Sequence, residues 1–76
     1  MQELIEYIAK SLVDSPDDVK VTEEEERGRV IVRLEVAEND YGKVIGKGGR
    51  IAQSMRALLK VAAVRSEQYA SLEIGD

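Results

Sequence analysis

The sequence contains no cysteine and no histidine, and it also lacks phenylalanine and tryptophan. Without cysteine, neither a disulfide framework nor a thiolate metal site can form. The absence of histidine removes the commonest general base and the commonest metal ligand. We therefore expect no cofactor, no metal and no catalytic residue. An enzyme is the weakest functional option, because adjacent acids such as Asp17 and Asp18 after a proline are typical of a turn or a helix start.

Long apolar stretches are also missing. No run of apolar residues is long enough to cross a bilayer, and Glu3 and Glu6 interrupt the apolar positions at the N-terminus, which argues against a signal peptide. We expect a cytoplasmic protein with no membrane contact.

The 76 residues fit one small domain over residues 1–76. A domain of this size buries about 60% of its unfolded surface, which leaves no spare layer to enclose a small-molecule substrate.

Acidic residues are absent from one long stretch of an otherwise acidic chain. Between Tyr41 and Arg65 the net charge is +6, whereas the remainder of the chain carries −10. Because distant charges are screened within about 8–10 Å, a positive segment on an acidic body still attracts phosphate locally. A solvated helix face is the alternative explanation, and it applies least to Lys47 and Arg50. The basic residues of the stretch are Lys43, Lys47, Arg50, Arg56, Lys60 and Arg65.

The spacing of apolar residues in the first half of the chain predicts a helix followed by a hairpin. The helix covers about Gln2–Val13 and ends where Ser15 precedes a proline. Alternating residues then predict one strand from Val19 into the run of four glutamates, and a second strand over Val30–Val36. Arg27-Gly28 indicates a tight turn between them. The side chains expected on the buried face of the second strand are Val30, Val32, Leu34 and Val36.

The second half is predicted to contain two helices and a closing strand. Asn39 or Asp40 is the expected N-cap of a short helix over Tyr41–Ile45. A longer helix is expected over about Arg50–Arg65, and a short strand over Ser71–Ile74. The chain is therefore α+β, in the order helix, strand, strand, helix, glycine loop, helix, strand. The stripe of the long helix that is expected to face the core consists of Ile51, Met55, Leu58, Leu59 and Ala62.

Three of the six glycines lie within the segment Gly46-Lys47-Gly48-Gly49. A P-loop would need a glycine at the position of Tyr41 and a hydroxyl residue at the position of Gly48. A dinucleotide fingerprint would need a strand before the segment and a glycine at the position of Ile51. The spacing that fits is Gly-x-x-Gly between two helices. A bare main chain with positive side chains favours a phosphate backbone as the ligand.

The segment Asp40–Ala52, with Ile-Gly-Lys-Gly-Gly-Arg at its centre, resembles the KH family of RNA-binding domains. The resemblance covers essentially the whole chain and is greatest to the small bacterial KhpA family. It implies the type II KH fold, with the order α-β-β-α-α-β, a three-stranded mixed sheet and helices packed on one face. It also implies an RNA chaperone or regulator that acts with a second KH protein of the KhpB type and affects cell shape and cell-wall biogenesis.

The resemblance implies that the glycine loop clamps the backbone of about four nucleotides. Single-stranded RNA is the expected ligand, with single-stranded DNA as the alternative. Bases are expected in a groove between the helix pair and the last strand, where the backbone of Leu72–Ile74 reads base edges. Ile45 and Ile51 are candidates for the apolar floor of this groove, or else core residues. The predicted RNA-binding residues are Lys43, Ile45, Gly46, Lys47, Gly48, Gly49, Arg50 and Ile51.

Two residues bear on base selectivity. Many eukaryotic KH domains have isoleucine three residues after the last glycine, where this chain has Ala52, so a shallower groove and modest selectivity are expected. Tyr69 precedes the closing strand and either stacks on a base or packs against the domain, and packing is the favoured alternative.

A second apolar stripe on the long helix consists of Ala57, Val61 and Val64, roughly opposite Ala52 and Leu59. Such a patch suggests a partner helix, in a homodimer or in a heterodimer with a KhpB-type protein. Scattered surface aliphatics are the alternative. A dimer would present two loops, whose avidity offsets weak binding at each one. The stripe and the acidic remainder would also suit a protein–protein adaptor with a vestigial KH loop, which is the alternative function.

Overall fold

The computed structural model describes residues 1–75 and has the predicted α+β architecture. The order of elements is α-β-β-α-α-β, which confirms the order expected from the sequence. None of the helices in residues 1–75 combines the length and the apolar composition that a membrane crossing requires. The elements are α1 (Gln2–Leu12), β1 (Lys20–Glu26), β2 (Arg29–Glu35), α2 (Tyr41–Ile45), α3 (Arg50–Arg65) and β3 (Tyr69–Ile74).

The three strands form one mixed sheet in the order β1-β2-β3. β1 is antiparallel to β2, and the two-residue turn between them has positive φ at Arg27 (52°) and Gly28 (77°). Such a turn matches the twist of the strands that it joins. β3 runs parallel to β2, with Arg29 opposite Tyr69 at one end of the pairing. Because β2 is central, β1 and β3 each have one edge without a neighbouring strand in the sheet.

The core lies between one face of the sheet and the helices. The alternating residues of β2 are buried on this face, as the sequence predicts. Helix α1 contributes Ile5 and Ala9, helix α2 contributes Val44, and β3 contributes Leu72. Each fully buried aliphatic side chain contributes roughly 1.5–3 kcal/mol to folding. The glycine loop therefore joins two helices, α2 and α3, that are both packed into this core.

The buried face of α3 differs in part from the predicted stripe. Met55 and Leu59 are buried as expected, but Leu58 is 47% exposed. The face that meets the sheet is completed by Ala52 and Ala63, both of which are buried. Small residues at these two positions allow the helix axis to approach the sheet. Leu58 therefore lies on the flank of the helix, and its placement in the core was wrong.

Asp40 occupies the predicted N-cap position of α2 but does not cap that helix with its side chain. Its fully buried carboxylate accepts hydrogen bonds from the backbone N–H groups of Asp14 (3.3 Å) and Ser15 (3.1 Å). The side chain is turned to these donors because the segment after α1 passes beside the start of α2. Asp40 thus ties the first helix to the helix that precedes the glycine loop.

Candidate nucleic-acid interface

The loop between α2 and α3 has an unusual main-chain conformation. Gly46, Gly48 and Gly49 all have positive φ, at 78°, 66° and 76°. The N–H of Gly46 bonds to the carbonyl of Gly42 (2.9 Å), and the N–H of Gly49 bonds to the carbonyl of Gly46 (3.1 Å). The loop is therefore a tight turn with no side chain on three of its four residues, and a bulky ligand can approach its main chain closely.

Helix α3 begins directly after this turn, with Gly49 in the left-handed conformation at its N-cap. A glycine has no side-chain oxygen to cap the helix, and the N–H of Arg50 donates instead to the carbonyl of Lys47. The N–H groups that follow Arg50 in the first turn, together with the helix dipole, favour an anion at this end. Because α3 has 16 residues, its dipole is fully developed where the loop meets it.

The basic residues nearest the loop fall into two groups. Lys47 and Arg50 are exposed, and neither forms an ion pair with any residue of the described chain. Lys43 instead pairs with Asp14 (Nζ to Oδ2, 3.1 Å) and with Asp40 (Nζ to Oδ1, 3.6 Å). The hydrogen bond and the attraction from Asp14, followed by the attraction from Asp40, raise the pKa of Lys43. Within residues 1–75, no cluster of three or more potential ligand side chains is arranged to hold a metal ion.

A groove of about 380 Å³ runs between α3 and the outer edge of β3. Arg56 and Lys60 line it from the helix, and its floor is largely aliphatic. Arg56 also donates a hydrogen bond of 3.4 Å from Nη2 to the main-chain carbonyl of Leu72. Of the strand residues expected to read base edges (Leu72–Ile74), only Leu72 lines this groove, and neither Arg56 nor Lys60 was among the predicted site residues. Both were visible in the sequence only as members of the basic stretch.

The two predicted floor residues lie outside the lining of this groove. Ile51 is half-buried, packs against the core and contacts Gly46. Ile45 is 39% exposed at the end of α2, next to the loop. The structure thus places both side chains next to the glycine loop. Their contact with RNA remains a prediction.

Tyr69 is the first residue of β3 and is 80% exposed, so the favoured expectation that it packs against the domain was wrong. In register it lies opposite Arg29, and it is one of the residues that line the groove between α3 and β3. The strand begins two residues earlier than predicted because the N–H of Tyr69 bonds to the carbonyl of Gly28 (2.9 Å).

The second apolar stripe of α3 is exposed, as its position opposite the core predicts. Val61 is 56% and Val64 is 65% exposed. Ala57 and Leu58 are also exposed on neighbouring positions of the same helix. These four residues, Ala57, Leu58, Val61 and Val64, are called the outer face of α3 below.

Comparison with known proteins identifies the family of this chain. The family model described as the KhpA/KhpB KH domain matches residues 2–74. A Clostridium acetobutylicum protein named RNA-binding protein KhpA is 50% identical over 74 residues, covering 97% of this chain and 99% of its own length. Proteins of the same name from Treponema pallidum and Bacillus subtilis are 51% identical (99% of this chain, 94% of theirs) and 42% identical (100% and 94%). No solved structure matches the chain. The protein belongs to the KhpA/KhpB family of KH domains.

Proposed function

We propose that the protein binds single-stranded RNA by holding the phosphate backbone against the loop Gly46–Gly49. The observation that carries the proposal is the position of this loop. Three of its four residues lack a side chain and have positive φ, and the loop leads directly into the N-terminus of α3. Exposed N–H groups at such a helix end bind phosphate readily. The relatives are named RNA-binding proteins, which supports RNA as the ligand.

Lys47 and Arg50 supply the charge for this contact. Both are exposed within the acid-free stretch and have no ion-pair partner among residues 1–75. A phosphate that approaches them displaces no carboxylate of the described chain. Lys43 is already paired with Asp14 and Asp40, so it is less available to a phosphate than Lys47 or Arg50. We propose that its role is to stabilise α2 through these ion pairs.

With two or three phosphate contacts, binding is expected to be moderate and sensitive to salt. Each phosphate neutralised on a single strand contributes about −0.7 to the slope of log K against log salt. The groove between α3 and β3 is open and short, so base selectivity adds to this affinity without dominating it. Such a protein acts on many RNAs in the cytoplasm, as a chaperone or regulator does, and it does not catalyse a reaction.

The experiment that tests the proposal is the double substitution Lys47→Asp/Gly48→Asp. A Cβ atom added to Gly48 would have no other atom within 4 Å, and aspartate is among the residues that best tolerate its left-handed conformation. The fold should therefore survive, as circular dichroism would show. We expect the affinity for a fluorescent single-stranded RNA decamer, measured by anisotropy, to be lost. The same decamer as DNA shows whether the clamp distinguishes the two.

A matched control is available in the hairpin. Lys20→Asp/Gly28→Asp changes the net charge by the same amount, and Gly28 also has positive φ (77°) and open space around it. This variant should retain most of the RNA affinity. If the loop variant binds RNA as well as the parent does, the loop is not the clamp. If both variants lose binding equally, overall charge rather than the loop governs binding.

We further propose that the outer face of α3 pairs with a second KH domain, either another copy of this chain or a KhpB-type protein. Four adjacent exposed aliphatic residues are unusual on a helix whose solvent-exposed surface is otherwise polar. The small side chain of Ala57 allows close approach of a partner helix. Two loops on one particle would bind a single RNA with avidity. The affinity of each loop then does not need to be high.

The alternative function, a protein–protein adaptor with a vestigial loop, rests on the same outer face. It predicts a parent protein that has no salt-dependent affinity for RNA but forms a stable complex through α3. The RNA titration of the parent therefore separates the two functions before any variant is made.

A further inference from the structure

The side chain of Arg56 reaches across the groove between α3 and β3. Its Nη2 donates to the main-chain carbonyl of Leu72 at 3.4 Å, in a partly buried position. No carboxylate in residues 1–75 forms an ion pair with Arg56. Arg56 is therefore attached to the strand edge by one long hydrogen bond, and it is one of the residues that line the groove.

The pairing of β3 fixes which main-chain groups face this groove. The N–H of Tyr69 bonds to Gly28, and the N–H of Gly75 bonds to Leu34, so the odd-numbered residues of β3 bond to β2. In a parallel pair, the intervening residues direct both their N–H and their C=O to the other side. Leu72 is such a residue. It offers one donor and one acceptor to a base edge, and Arg56 already uses one lone pair of that acceptor.

Arg56 thus changes the hydrogen-bonding character of this point in the groove. Without it, the edge at Leu72 presents N–H and C=O side by side. With it, one lone pair of the Leu72 carbonyl is taken by Arg56, and the guanidinium adds N–H donors beside the N–H of Leu72. A base edge with two neighbouring acceptors fits this donor-rich arrangement better than a base edge that combines an acceptor with an amino group.

We propose that Arg56 selects guanine over adenine at the groove position beside Leu72. The N7–O6 edge of guanine has two acceptors, whereas the corresponding edge of adenine has the acceptor N7 and the donor N6. Arg56 can donate to the guanine edge, whereas the adenine amino group must share the carbonyl of Leu72 with the guanidinium, whose positive charge repels the amino hydrogens. The inference rests on the proposed function and assigns base selectivity to one residue outside the phosphate clamp.

The test uses RNA hexamers of uridine that carry one guanine or one adenine, with the purine moved through every position. We expect the parent to prefer guanine at one position by about tenfold, the lower-middle range for one well-made arginine–base contact. Arg56→Met frees the carbonyl of Leu72 and should abolish or reverse the preference. Arg56→Lys keeps the charge but loses the planar fork, and should also reduce the ratio.

Lys60→Met is the matched control. Lys60 lines the same groove one helical turn from Arg56 and carries the same charge, but it makes no hydrogen bond to β3 in the described chain. This variant should weaken binding of both hexamers alike and preserve their ratio. A guanine preference that disappears with Lys60→Met but survives Arg56→Met would overturn the inference.

Modified bases test the two acceptors individually. Inosine retains O6 and N7 and lacks the 2-amino group, so it should bind as guanine does. 7-Deazaguanine lacks N7 and should lose most of the preference. A parent that binds RNA without distinguishing guanine from adenine overturns this inference and leaves the phosphate clamp intact. A parent that binds none of the hexamers overturns the proposed function as well.

Discussion

The side chain of Ile51 fills the space in which a Cβ atom on residue 46 would stand. The distance from such a Cβ to Cγ1 of Ile51 is 2.7 Å, closer than real Cβ atoms approach another heavy atom. Gly46 also has φ 78° and ψ 171°, a region that only glycine adopts readily. The glycine loop is therefore held against the first turn of α3 by direct contact between Gly46 and Ile51.

This contact predicts that Gly46→Ala is costly to stability. Backbone strain and the collision with Ile51 should together lower the free energy of unfolding by about 2–4 kcal/mol. Urea unfolding followed by circular dichroism measures the change. Gly48→Ala is the control, because Gly48 shares a positive φ but a Cβ at this position would meet nothing within 4 Å. We expect a loss of about 1 kcal/mol there, from strain alone. Equal losses for the two variants would contradict the close contact.

The ion pairs of Lys43 predict a pH dependence of stability. Asp14 and Asp40 raise the pKa of Lys43 above its ordinary value of 10.5. A raised pKa in the folded state means that the stabilisation is fully present below pH 10.5 and is lost as the pH rises through the folded pKa. The parent should therefore be more stable than Lys43→Met at neutral pH, and this difference should shrink above pH 10.5.

The measurement is urea unfolding of the parent and of Lys43→Met between about pH 7 and pH 11.5, a range that spans ordinary lysine titration. Comparison of the two proteins cancels the titration of groups that they share. Asp14→Asn removes the first cause of the shift in pKa. In a protein that already carries Asp14→Asn, Lys43→Met should therefore lower the free energy of unfolding by less than it does in the parent. A difference that is constant over the whole range would show that Lys43 acts by packing and not by charge.

Hydrophobic periodicity predicted the elements of this fold well, because each buried face is set locally. The alternation of Val30, Val32 and Leu34 is enough to define β2 and its inner side. The same method misplaced Leu58, since a helix stripe flanked by aliphatic residues does not reveal which flank meets the sheet. That choice depends on the small residues Ala52 and Ala63, which permit the close approach.

Parts of the candidate site depend on contacts between distant segments, and these were out of reach of sequence patterns. Aspartate is a preferred N-cap residue. The carboxylate of Asp40 nevertheless accepts hydrogen bonds from backbone N–H groups 25 and 26 residues earlier. Arg56 meets the carbonyl of Leu72 because β3, which follows α3 in the chain, lies beside that helix. Side-chain type says nothing about a main-chain acceptor in another element. The glycine loop was predictable because its backbone requires glycine at three of four successive positions.

The phosphate clamp predicts how salt affects RNA binding. Lys47→Ala removes one exposed cation at the loop, so the slope of log K against log salt should become shallower by about 0.7. Anisotropy titrations of one RNA decamer at four salt concentrations give the slope. Lys20→Ala removes an equal charge from β1, which contributes no residue to the loop, and should leave the slope unchanged. If Lys47→Ala lowers affinity at every salt concentration but keeps the parent slope, Lys47 does not contact a phosphate.

The outer face of α3 predicts self-association that a single charge can break. Val61 is 56% exposed and lies among Ala57, Leu58 and Val64. In a dimer formed through this face, Val61→Glu buries an unpaired carboxylate, which is strongly unfavourable. Sedimentation equilibrium should give twice the chain mass for the parent and the chain mass for this variant. Tyr7→Glu is the control, because Tyr7 is 74% exposed on α1 and its exchange adds the same charge elsewhere. A parent that is already monomeric, with a mass that Val61→Glu does not change, would exclude the homodimer and leave the outer face to a different partner.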